Sequence, residues 1–411
     1  MIPRFHPSFA TRELGACLGA ILRPGHNADL VERLEKRFAD YIGVEHAVMV
    51  PSARLGLSYV LDALGLDQGS EVAVPALTYH SIPAAIIAKG LKPNFVDIDR
   101  HTLTLDPTML DFSISPQTRA IIPTHLYGKP CDMDAVLGIA KERGLAVIED
   151  CAQSVGAEFR GKKVGGLGDA AYYTFGVTKN LTTILGGMVT TNRDDIASTV
   201  RERVATLPRM GSFALLKASV VAACMAMGTS RVPFSLSLGL AISFFGFLGL
   251  DPVHDAFNER PHIPRGEATG RHAYSAHPAQ AAVGLVQLDR CDALNDARAA
   301  LAARLIERLG PHSELVVPQT VEHEKHIFVT FTIQTELRDE LARFLRSHGV
   351  DTAKGYMDAC PDLPIFADYH RPCPTATQVK QTILHLPLYA SMTERDTDRI
   401  ADAVGHFFDK T

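Results

Sequence analysis

The sequence predicts an α/β protein with a mostly parallel central sheet flanked by helices, followed by a smaller α+β unit. Two patterns carry that prediction. Between residues 46 and 192, short apolar runs alternate with segments of helical character, the spacing of layers built around a parallel sheet. From about Val316 the pattern changes to one strand candidate, His326–Ile333, and two amphipathic helices. The chain length, 411 residues, also exceeds what a single small core needs, so two domains are expected.

The elements follow in order. Asn27–Val44 reads as an amphipathic helix with Leu30, Val31, Leu34, Phe38, Tyr41 and Ile42 on one side. The strand candidates are AVMV from Ala47, VAVP from Val72, NFVDI from Asn94, AIIPTH from Ala120, LAVIED from Leu145, AAYYTF from Ala170 and MVTT from Met188. Ligands of such sheets sit beyond the carboxyl ends of the strands, and Pro75, His125, Asp150 and Thr174 all fall at those ends. A long helix around 278–309 is expected to join the C-terminal unit. There, Glu336–Gly349 and Thr393–Phe408 read as helices, the latter with Thr393 and Asp396 in capping-box spacing.

A hydrophobic fraction of 46% with 21% charged residues describes a folded globular chain. The net charge of −5 and the lack of a long basic run leave no electrostatic footprint for nucleic acid. Seven scattered cysteines without a CxxC pair point to free thiols in a reducing compartment, not to a disulfide framework or a zinc site. The opening MIPRFHPSFATREL has no apolar core of a secretion signal, so a cytoplasmic location is expected.

The chemistry concentrates between Val147 and Thr191. An apolar strand ends in Asp150, and a second strand leads 29 residues later to Lys179 through Tyr173-Thr174-Phe175-Gly176-Val177-Thr178. A lysine amine that condenses with an aldehyde, and a carboxylate that keeps a pyridine nitrogen protonated, are what pyridoxal 5'-phosphate (PLP) requires.

This stretch resembles the DegT/StrS family of aminotransferases, as do Ser52–Asp99, Ile121–Val136, Gln280–Arg290 and His385–Asp396, in the same order. The resemblance implies a fold-type I PLP enzyme: a large domain over residues 1–205, a connecting helical region at 271–310 and a small domain at 311–411. It implies that Lys179 bonds to the cofactor, Asp150 faces its ring nitrogen, Gln153 lies at the ring hydroxyl and Thr174 contacts the phosphate. Tyr79 would stack on the ring. Ser52, Ala53 and Arg54 would open a helix whose backbone N–H groups hold the phosphate. His125 and Tyr127 match a family motif in which packing and catalytic roles remain open, and Asp97 and Asp99 read as structural. The resemblance further implies a homodimer with its sites at the subunit interface.

Several positions depart from the family pattern. Ala53 and Arg54 replace the usual Gly-Thr, and Leu185 stands where many members carry glutamate. Ala273-Tyr274-Ser275-Ala276 replaces a block whose asparagine reaches the partner's phosphate, a contact that His272 or His277 would have to supply. Residues 206–270 form an apolar insertion: Ala218–Ser230 and Val232–Leu250 carry no charge. That segment, within 213–250, reads either as a peripheral membrane or lipid contact or as additional packing.

The reading is a PLP-dependent aminotransferase that takes an amino group, expected from glutamate, to a keto-sugar, keto-cyclitol or related carbonyl compound, free or lipid-linked. A PLP-dependent dehydratase acting on a lipid-linked substrate and a non-catalytic PLP-binding regulator are the alternatives.

Overall fold

The computed structural model describes residues 1–23, 29–236, 239, 242, 260–263 and 273–410. Each of the seven apolar runs becomes a strand of one sheet: β1 (His46–Val50), β2 (Glu71–Pro75), β3 (Lys92–Val96), β4 (Thr118–Ile121), β5 (Ala146–Asp150), β6 (Ala170–Thr174) and β7 (Gly187–Thr191). Their order is β1-β7-β6-β5-β4-β2-β3. The five strands from β6 to β3 run parallel, and β7 lies antiparallel between β6 and β1.

Both faces of this sheet are covered, which explains why its strands are apolar throughout. Alternate residues of β6 divide between two cores: Ala170 and Tyr172 join one, Ala171 and Tyr173 the other. The Leu30–Ile42 helix seals the second face through Leu34, Phe38, Ala39 and Ile42, and stops at Gly43, which takes the left-handed φ of 87°. The Ala53–Leu64 helix covers the first face.

Toward the C-terminus, Phe331–Gln334, Ile383–Leu386 and Ala353–Lys354 form a small antiparallel sheet. It shares a separate core with the Arg338–Ser347 and Glu394–Phe408 helices. The latter helix has the anticipated capping box, with Asp396 N–H donating to Thr393 Oγ1 at 3.3 Å and Thr393 N–H to Asp396 Oδ2 at 3.1 Å. Ile2 packs into this same core, and Arg4 forms a buried pair with Asp351 at 2.8 Å. The first residues therefore lie on the C-terminal unit.

Two elements differ from expectation. The joining helix is two helices, Pro278–Leu288 and Cys291–Leu309. The break falls at Asp289-Arg290, where Arg290 takes a φ of −113° and its guanidinium reaches the buried Glu13 at 2.8 Å. The strand expected over 326–333 starts only at Phe331. Phe328 takes a φ of 47°, which no strand permits, and its ring stacks on His326. Ile327 and Val329 donate instead to Gly128 and Tyr127, tying this loop to the core of the large sheet.

Candidate active site

The carboxyl ends of the parallel strands open on a cavity of about 740 Å³. All eight residues named from the sequence line it: Ser52, Ala53, Arg54, Tyr79, Asp150, Gln153, Thr174 and Lys179. His125 lines it too, whereas Pro75 does not; its strand contributes Thr78 and Tyr79 beyond the turn.

Asp150 ends β5 with its carboxylate buried, and Oδ1 accepts the Ala152 N–H at 3.0 Å. Burial pushes its pKa up, against the pull of that N–H, of the nearby Tyr172 hydroxyl and of the Lys179 charge. The Tyr172 hydroxyl stands beside the carboxylate without meeting hydrogen-bond geometry. Lys179 follows β6 on a short loop, where its own N–H donates to Gly176 at 3.0 Å. Its side chain keeps partial exposure because it opens on the cavity. The surrounding protein nevertheless desolvates the amine and lowers its pKa to about 8, with Asp150 opposing that shift.

Gln153 is buried, and its Oε1 accepts from the Tyr127 N–H and the Tyr356 hydroxyl, each at 3.2 Å. With the oxygen so engaged, the amide NH₂ is left as the group available for a ligand. Tyr356 in turn meets Tyr127 and His385 edge to face, with ring centroids at 6.0 and 5.1 Å.

His125 faces inward. Its Nδ1 accepts the Cys131 N–H at 3.0 Å, so Nε2 carries the proton donated to Glu149 at 3.0 Å. Burial would raise the Glu149 pKa, but this contact and the N–H groups of Gly165 and Gly168 hold it below the usual carboxylate value. The pair therefore braces the floor of the cavity. Asp97 is likewise structural, accepting the N–H groups of Thr375 and Ala376 at 2.9 Å.

The phosphate end is built by close approach. Ser52 caps the Ala53–Leu64 helix by accepting the Leu55 N–H at 3.3 Å, and the start of the first turn, Ala53 and Arg54, lines the cavity. Gly187 makes this possible. A Cβ there would lie 2.1 Å from the Tyr173 carbonyl oxygen and 3.2 Å from Ala53 N. Thr174 and Thr178 line the same region.

Among the departures from the family pattern, Leu185 contributes only its carbonyl, which accepts from Gln280 at 2.8 Å. Ala273 lines the cavity, while His277 caps its own helix through Nδ1. His272 lies outside the described residues.

Much of the wall was not foreseen from sequence. Arg4–Ala10, Arg298, Lys354 and Tyr356 come from segments remote in the chain, with no local motif to mark them, and Arg290 and Tyr389 lie in matched blocks that assigned them no role. The lining holds six cationic side chains, Arg4, Arg54, Lys179, Arg290, Arg298 and Lys354, and Asp150 is the one acid among the described lining residues.

These residues suit PLP. A desolvated amine faces a buried carboxylate, a helix N-terminus supplies phosphate donors, and the Thr78 and Thr124 hydroxyls are buried without a partner among the described residues. Comparison with known proteins gives the same answer. The DegT/DnrJ/EryC1/StrS aminotransferase family description matches residues 20–217 and 273–405. The chain belongs to this family. The gap between the two matched stretches coincides with most of the apolar insertion. The chain is 32% identical over 392 residues to the GDP-perosamine synthase of Caulobacter vibrioides, covering 91% of this chain and 89% of that protein. It is also similar to DesV of S. venezuelae (28% identity, TM-score 0.75, 98% of each chain). DesI, solved in the presence of its TDP-sugar product, matches at 25% identity and a TM-score of 0.74, covering 98% of this chain and 91% of that one. As a family member the chain is a PLP-dependent aminotransferase.

Proposed function

We propose that this enzyme aminates a keto-sugar carried on a nucleoside diphosphate, with glutamate as the amino donor. The observation that carries the reading is the cationic lining of the cavity. Of its six cations, Arg4, Arg290 and Lys354 pair with Asp351, Glu13 and Asp339 behind the wall. Arg54, Lys179 and Arg298 face a single lining acid, Asp150, across a space large enough for an extended, anionic substrate. The GDP- and TDP-sugars named for its relatives support the same substrate class.

Bound PLP supplies an electrophilic carbonyl and an electron-withdrawing ring. Lys179 would hold the cofactor through its amine, and its Nζ would move the proton at the reacting carbon. Its lowered pKa suits both tasks, because a useful fraction of the amine is neutral near pH 7. Asp150 holds the proton on the ring nitrogen. Gln153, fixed by Tyr127 and Tyr356, presents its NH₂ to the ring hydroxyl, and Tyr79 stacks on the ring face. Ser52, Ala53, Arg54 and Thr174 take the phosphate. The arginines of the opposite wall take the diphosphate of the sugar donor, and a homodimer completes the site.

The test is a pair of half-reactions. With glutamate, the enzyme should pass to its pyridoxamine form and release 2-oxoglutarate. Adding nucleoside-diphosphate keto-sugars should return it to the starting form with an amino-sugar product. Return with free keto-sugars or keto-cyclitols, and none with the nucleotide-linked series, would contradict the substrate class.

A further inference from the structure

The Ser212–Gly228 helix packs its Leu215, Ser219 and Ala222 side inward, beside the Thr11–Leu22 helix. Its other side is exposed, and the exposed residues recur at helical spacing: Phe213, Lys217, Val220, Cys224 and Met227. The face continues through Arg231, Val232 and Leu236 of the following short helix. Phe213 is 80% exposed and Leu236 73%, far beyond what scattered surface apolar residues need explained.

The charges on this layer have one sign. Between Glu202 and Asp251 the sequence contains no acidic residue, while Arg209, Lys217 and Arg231 lie within it. On the adjoining Thr11–Leu22 helix the only acid, Glu13, is buried against Arg290. Arg231 pairs with Asp396 at 3.0 Å, and Lys217 stands exposed in the middle of the apolar face. An apolar face whose own residues carry cations and no acid fits an anionic surface. No described helix is long and apolar enough to cross a membrane.

We propose that this face seats the enzyme peripherally on an anionic lipid bilayer. Apolar side chains enter the headgroup boundary, and Lys217 meets the lipid phosphates. The face is tied to the catalytic cavity. Thr229, at the end of the longer helix, hydrogen-bonds His6 Nδ1 at 3.0 Å, and His6 lines the cavity. The amino terminus donates to Ser235 at 2.7 Å. The bilayer would thus lie behind the N-terminal wall of the active site.

The experiment is flotation of the PLP-loaded enzyme with phosphatidylcholine vesicles, with and without phosphatidylglycerol. The enzyme should float with the anionic vesicles and be released by salt. Lys217→Glu should weaken partitioning about fivefold or more, because one basic residue near an anionic surface contributes about 1 kcal/mol. The triple variant Phe213→Ser, Met227→Ser, Leu236→Ser should lose flotation while keeping its visible cofactor band and its sedimenting mass. Failure of the wild type to float with either vesicle overturns the proposal. So does a fall in assembly mass in the triple variant, which would assign the face to a second copy. The readout is independent of amino transfer, so it stands or falls apart from the substrate assignment.

Discussion

Burial gives Lys179 its chemistry. An unperturbed lysine amine is almost wholly protonated at pH 7, whereas one with a pKa of about 8 is neutral in about a tenth of molecules. Uptake of PLP by the apoprotein should therefore accelerate about tenfold per pH unit up to about pH 8 and then level off. A plateau reached only near pH 10 would show an amine not desolvated. Asp150→Asn keeps the shape of the carboxylate but removes the charge that stabilises a protonated ring, so glutamate-driven conversion should slow by several orders of magnitude. Tyr356→Phe removes one of the two donors that orient Gln153. Turnover should fall modestly, by about tenfold or less, and the pH titration of the bound chromophore should shift, which a purely packing role would not cause. Lys179 and Asp150 were legible in the sequence because strand ends and local spacing mark them, and Gln153 through the family resemblance. Tyr356 was not, because its hydroxyl reaches Gln153 across 203 positions.

At the scale of elements, the glycine-to-Cβ geometry separates two kinds of position. Gly187 opens β7 where the phosphate-binding helix and β6 both press on it. Gly187→Ala should destabilise the fold by about 2 kcal/mol or more, measured by denaturant unfolding, with loss of cofactor affinity. Gly15 sits within a helix with nothing near its would-be Cβ, so Gly15→Ala should stabilise by about 0.5–1 kcal/mol. The strands and most helices were legible because alternation and helical periodicity survive wherever one core decides both. The two misread elements fail for local reasons. The helix is interrupted at Arg290, whose side chain reaches a carboxylate from the N-terminal helix, and Phe328 takes a positive φ where its neighbours pair with the Tyr127 loop. Neither partner is near in sequence.

At the scale of the molecule, the active site is assembled from three distant parts. The sheet presents Asp150 and Lys179, the C-terminal unit adds Lys354, Tyr356 and Tyr389, and the N-terminal segment closes the wall with Arg4–Ala10. That segment reaches the site because Ile2 and Arg4 are anchored on the C-terminal unit through Val350 and Asp351. The family and its cofactor were therefore readable from ordered motifs, while the substrate-facing wall emerged only from the fold. The central claim is that Lys179 carries the cofactor. Borohydride reduction of the PLP-loaded enzyme, followed by peptide mapping, tests it most directly. A pyridoxyl group should appear on the peptide containing Lys179 and vanish in Lys179→Ala; a label on any other lysine, or none at all, would contradict the account.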